Sequence, residues 1–278
     1  MAAAGATRSA AGVVDASRAQ STGGASQQLG ESWRRELLEA RLEVQLELAR
    51  QRVETQLEAL GLTREQVEQG VQDDRELMYF EFQIAQAETD AQITQLELEE
   101  IRQSGREPLG QLSSPLVNGR DFVSERIEAR MELARHHLDL VRDEQLRARN
   151  LAQERTVSEN EVRAQDLVAM EAEQQLVTLA QQLELRRSYL DSEITAVEAE
   201  LKLLELEAQS RVILLDHQRE YFQREFDQFQ EAIGRGTMRP AVAVQLTARV
   251  DEVEGQLRLA QAELEIVQRE LERRQRAR

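Results

Sequence analysis

The side chains on which chemistry would rest are three histidines, a single lysine and 52 acidic residues, and there is no cysteine. That excludes a disulfide framework, a thiolate metal site and a cysteine nucleophile. His136 and His137 are adjacent. On a helix they diverge by about 100° and cannot grip one ion as an i,i+4 pair does. His137 with Asp139 or Glu144 offers at most a weak surface site, and His217 stands apart in sequence. Carboxylate pairs such as Glu198 with Glu205, or Glu265 with Glu270, are easily found. Acid–base catalysis, however, needs environments that push two pKa values apart, and a solvated helix face gives both carboxylates the same one. Neither G-x-G-x-x-G nor G-x-x-x-x-G-K-[S/T] occurs, and there is no G-x-S-x-G nucleophile motif. Lys202, between Leu201 and Leu203, reads as a surface residue. The expectation is a protein that is not an enzyme and holds no metal or cofactor.

Two aromatic groups remain: Tyr79, Phe80 and Phe82, and then Tyr221, Phe222, Phe226 and Phe229. Phe222, Phe226 and Phe229 fall at i, i+4 and i+7, one helical stripe. Such a stripe thickens a core where helices meet or serves as a docking patch for a protein partner.

The elements that must carry these residues are helices. Ala, Glu, Leu, Gln and Arg dominate the 278 residues, aromatics are only 4%, and there are three prolines, which disfavours β-sandwiches and barrels. The expected fold class is all-α, built of elongated antiparallel helical hairpins or a coiled coil. With a net charge of −17 and no basic block, nucleic acid is an unsuitable partner. No run approaches the roughly 18–20 apolar residues that span a bilayer. Nor does the N-terminus show an h-region of about 7–15 apolar residues, so no signal peptide is visible.

Residues 1–30 are rich in Ala, Ser, Gly and Gln and read as a disordered tail. From Glu31, Leu38, Leu42, Leu46, Ala49, Val53, Leu57 and Leu60 form a first stripe. Gly61, followed by Thr63 and Gln66 as a capping box, predicts a turn and a new helix, making 31–104 a helical hairpin. Residues 105–119, with two prolines, read as a linker. Long helical hairpins follow over 120–278. Their stripes are Ile127, Met131, Ala134, Leu138, Val141, Gln145 and Ala148, then Ile194, Val197, Leu201, Leu204, Ala208 and Leu215. Turns are expected at Leu151–Val157, Asp191–Ile194 and Gly234–Gly236, with Ser158 and Glu161 as a second capping box and Pro240 in a first helical turn. The last stripe, Leu246, Val250, Val253, Leu257, Ala260, Leu264, Val267 and Leu271, is a strict heptad. That period belongs to a supercoiled seam.

The segment Arg147 to Ser158 resembles the hairpin tip of periplasmic adaptor (membrane-fusion) proteins of tripartite efflux pumps and type I secretion systems. Arg147, Leu151 and Ser158 carry the family's spacing. The resemblance covers helical hairpins only, and the family's lipoyl-like and β-barrel domains have no counterpart. It implies that these three residues dock a transport or secretion component in the periplasm. A second likeness, Leu62-Thr63-Arg64-Glu65-Gln66, is to the LTxxQ element of small periplasmic stress and metal-responsive proteins, although a capping box accounts for the same residues. The leading expectation is a helical scaffold or docking protein that binds a protein partner or itself. The alternative is a periplasmic sensor or chaperone binding metal or misfolded protein.

Overall fold

A computed structural model describes residues 16–71, 73–236 and 240–276. They form six helices: α1 (Ala16–Glu68), α2 (Asp74–Ser104), α3 (Phe122–Gln153), α4 (Glu159–Leu190), α5 (Ala196–Gly234) and α6 (Pro240–Arg276). No β-strand occurs among the described residues beyond one isolated bridge, so the chain is all-α. Among the described residues each helix packs against its neighbours in sequence and against no other helix. The result is a serpentine of antiparallel hairpins. Its apolar cores are correspondingly serial. Leu42, Leu46, Leu98 and Ile101 join α1 to α2. Val123, Ile127, Ala134, Leu179 and Leu183 join α3 to α4 around Leu112 of the loop between α2 and α3. Leu215, Val253, Leu257 and Ala260 join α5 to α6.

The helix ends follow from local chemistry. At the end of α1, Val71 N–H donates to Gln66 O and Gly70 N–H to Val67 O, with Gly70 at φ 71°. This is a Schellman motif. The same pair of bonds ends α3 at Arg155 (φ 60°) and α4 at Ser192 (φ 62°), although neither is glycine. Ser158 accepts from Glu161 N–H to start α4. Thr195 and Glu198 make a complete capping box at the start of α5.

Three expectations are corrected. The turn expected at Gly61 lies at 69–71, and α1 runs unbroken through Gly61. Thr63 is only 5% exposed within the helix. A residue caps only where backbone N–H groups are orphaned, and a continuous helix leaves none there. Helix α1 also begins at Ala16, inside the stretch expected as a tail, while residues 1–15 lie outside the described residues. Ala and Gln propagate a helix readily once the following turns have formed. Finally, Leu57, Val197 and Leu204 are exposed rather than seated in their stripes. In α1 the inward line passes through Val53, Gln56, Leu60 and Thr63 instead. The final heptad is as expected: Leu246, Val250, Val253, Leu257, Ala260 and Leu271 are buried.

Candidate functional site

The α3–α4 tip is assembled from helix ends. Arg147, in the last turns of α3, lies 3.5 Å from both Asp143 and Asp73. Asp73 is the N-cap of α2, so this arginine ties the tip to the neighbouring α1–α2 turn. Leu151 is half-buried, and its carbonyl accepts from the Thr156 hydroxyl and amide. The Ser158 hydroxyl is spent on capping α4. The fold therefore brings all three predicted docking residues to one end of one hairpin, and gives Arg147 and Ser158 structural work there.

Phe222, Phe226 and Phe229 are all half-buried. Phe222 packs on the α5–α6 core and meets the Tyr221 ring edge-on at 5.3 Å. Burial, followed by the Glu225 carboxylate, holds the Tyr221 phenol above its ordinary pKa. Phe82 of the other group stacks on His137, with ring centroids 5.1 Å apart, and so joins α2 to α3. His136 lies 4.0 Å from Glu132 at the surface. Among the described residues no three His, Asp or Glu side chains converge in a way that would hold a metal ion. Lys202 is half-buried. No described helix is long and apolar enough to cross a membrane.

The densest polar construction lies elsewhere, in the loop between α2 and α3. Asn118 and Gly119, both at positive φ (52° and 83°), turn the chain so that Val117 and Arg120 pair, as two-residue hairpins demand. Arg186 of α4 is fully buried against this loop. Its guanidinium donates to Leu112 O (2.6 Å), to Ser114 O (2.5 Å) and to the Asp121 carboxylate (2.8 Å). Burial acts to raise the Asp121 pKa, but hydrogen bonds from Arg186 and Ser124 outweigh it and hold the group below the ordinary carboxylate range. A second buried pair, Arg126 with Glu100, adds a bond from Arg126 to Leu109 O (3.0 Å). Glu200 of α5 accepts from the amide and hydroxyl of Ser113 (2.9 and 2.7 Å). Hydrogen bonds from Gln95 and then Arg120 hold Glu99 below its ordinary pKa. Among the described residues no buried side-chain nitrogen or oxygen of this loop is left without a hydrogen-bond partner, which marks it as an internal clamp rather than a reactive centre.

The grooves among the described residues are open to solvent. One, of about 660 Å³, lies between α1 and the end of α2 and is flanked by Arg34, Arg41 and Arg106 beside Leu37. What the sequence reading missed is the outward face of α1. Trp33, Leu37, Val44, Leu48 and Leu62 are 49–64% exposed. On a helix at 100° per residue they fall within about 60° of one another, opposite the buried Leu42 and Leu46. The signal was present in the spacing, but it was masked by the stronger leucine stripe beside it. Comparison with protein-family models, with curated proteins and with solved structures finds no match to this chain.

Proposed function

We propose that the chain is a non-enzymatic helical scaffold that docks protein partners. The observation that carries this reading is the strictly sequential packing of the helices. It leaves long apolar faces on the outside and grooves that stay open to water. A reaction centre needs convergent groups shielded from solvent. The chain instead spends its buried polar groups on clamping a loop. The adaptor-like tip makes a transport or secretion component the proposed partner class, with Leu151 the contact least committed to the fold.

The test is site-specific photo-crosslinking in cells, with the probe at Leu151 and a control probe at Glu128. A discrete protein adduct at Leu151 and none at Glu128 is the expected result. Two results would overturn the proposal: equal labelling at both positions, or micromolar binding of a divalent metal in calorimetry that disappears in His136→Ala and His137→Ala. The latter would favour the sensor reading.

A further inference from the structure

The two edge helices, α1 and α6, each present a second apolar face that none of the described residues covers. On α6 that face comprises Val244, Leu259 and Ile266, which are 69, 61 and 59% exposed, together with exposed Ala248, Gly255 and Ala262. Their spacing, fours and threes with one step of seven, places them opposite the heptad buried against α5. We infer that this face takes the outward face of α1 from a second copy of the same chain, which would continue the serpentine with an antiparallel α6–α1 pair between molecules.

Three independent features select this occupant. The first is register. With the helices antiparallel, one alignment puts Leu37 level with Ile266, Val44 with Leu259, Leu48 with Gly255 and Thr55 with Ala248.

The second is charge. Beside the α1 face runs a row of Arg34, Arg41 and Arg52, spaced by 7 and 11 residues. None of these arginines has a carboxylate partner among the described residues. On the matching side of α6 stand Glu252, Glu263 and Glu270, spaced by 11 and 7. In an antiparallel pair corresponding flanks meet. The same alignment, to within one residue, sets Arg34 by Glu270, Arg41 by Glu263 and Arg52 by Glu252. Glu263 and Glu270 also serve Arg211 and Arg274 in their own chain, and Glu252, which accepts from Gln256, has no ion pair among the described residues. On the far flank Glu36 and Glu47 come within two residues of the level of Arg269 and Arg258, and one like-charged pair remains at the same offset, Glu54 with Asp251.

The third is Gly255. It sits in the middle of α6, where glycine weakens a helix, and a Cβ built on it would meet nothing within 4 Å. The chain itself thus gives no reason for a glycine there, whereas close approach of Leu48 from a neighbouring copy does.

Such a contact is heterologous, since α6 of one copy meets α1 of the next, and it propagates into a ring or a filament according to the angle per copy. It extends the scaffold reading without depending on the hairpin tip.

The cysteine-free chain makes the test direct. Full-length Val44→Cys/Leu259→Cys is expected to give a ladder of intermolecular disulfides on mild oxidation. Val44→Cys alone is expected to give none, and Val44→Cys/Val244→Cys at least tenfold less. In sedimentation the unmodified chain is expected to associate at tens of micromolar. Gly255→Leu should abolish that association while circular dichroism shows helix content unchanged. Arg52→Glu should weaken it, and Arg52→Glu/Glu252→Arg should restore it. A chain that is monomeric throughout, a Val44→Cys homodimer (α1 against α1), or cross-linking indifferent to register would each overturn the inference. A monomeric chain that still captures a protein through Leu151 would overturn this inference alone and leave the scaffold reading standing.

Discussion

Replacing Arg186 by leucine tests whether the α2–α3 loop is held by one buried cation. The native guanidinium is fully buried and contacts two loop carbonyls and the Asp121 carboxylate, with Tyr189 under its face at 5.7 Å. Leucine preserves much of the apolar stem but leaves the Leu112 and Ser114 carbonyls without that donor. Asp121, 19% exposed, keeps only Ser124. Breaking a buried ion pair from one side costs about 3–5 kcal/mol. The expected loss is at the lower end, about 3 kcal/mol, because Asp121 retains Ser124 and some water. Each 1.4 kcal/mol is tenfold in an equilibrium constant, so opening of this loop becomes more frequent by about two orders of magnitude. Because the hairpins are packed in series, a global melt would blend several units. Hydrogen exchange at the Ser114, Val117 and Arg120 amides is therefore the appropriate assay, backed by urea unfolding of the same variant. Arg186→Lys should recover only part of the loss, since one ammonium cannot span the three acceptors. Exchange at these amides accelerated less than about fivefold, or about 1 kcal/mol, would refute the clamp.

Three further outcomes are expected. Asp121 has a depressed pKa, so its contribution is full above the unfolded value of about 3.9 and is lost as pH falls through the lower folded value. Stability measured by urea unfolding from pH 6 to pH 2, values spanning roughly that window, should fall on acidification, and Asp121→Asn should flatten the decline. Ser192→Gly relieves a left-handed conformation at φ 62°, and should stabilise the chain by about 0.5–1 kcal/mol in urea unfolding. Gln56 Oε1 of α1 is buried without a hydrogen-bond partner among the described residues. Gln56→Leu should therefore raise stability by about 1 kcal/mol, read as a higher urea midpoint at unchanged slope.

The helical class, the heptad of α6 and the turns after α3, α4 and α5 were legible in the residues themselves. Their causes are local: a period set by 3.6 residues per turn, a Ser158 or Thr195 cap, and Pro240 at a helix start. Thr63 shows where that reasoning stops. The same S/T-x-x-E/Q pattern caps α5 at Thr195 and does nothing in α1, because whether a cap acts depends on whether the preceding turn has broken. Nor do residue types reveal which side of a two-faced helix is covered. Leu42 and Val44 lie two positions apart in α1, one 6% and the other 60% exposed, and only the docking of α2 distinguishes them. Arg186 could not be singled out among so many arginines, since its burial depends on a loop more than 60 residues earlier in the chain. Periodicity is a property of one helix and is written in the sequence. The neighbour that each face receives is a property of the assembled chain, fixed by which buried contacts offset the entropy of ordering it.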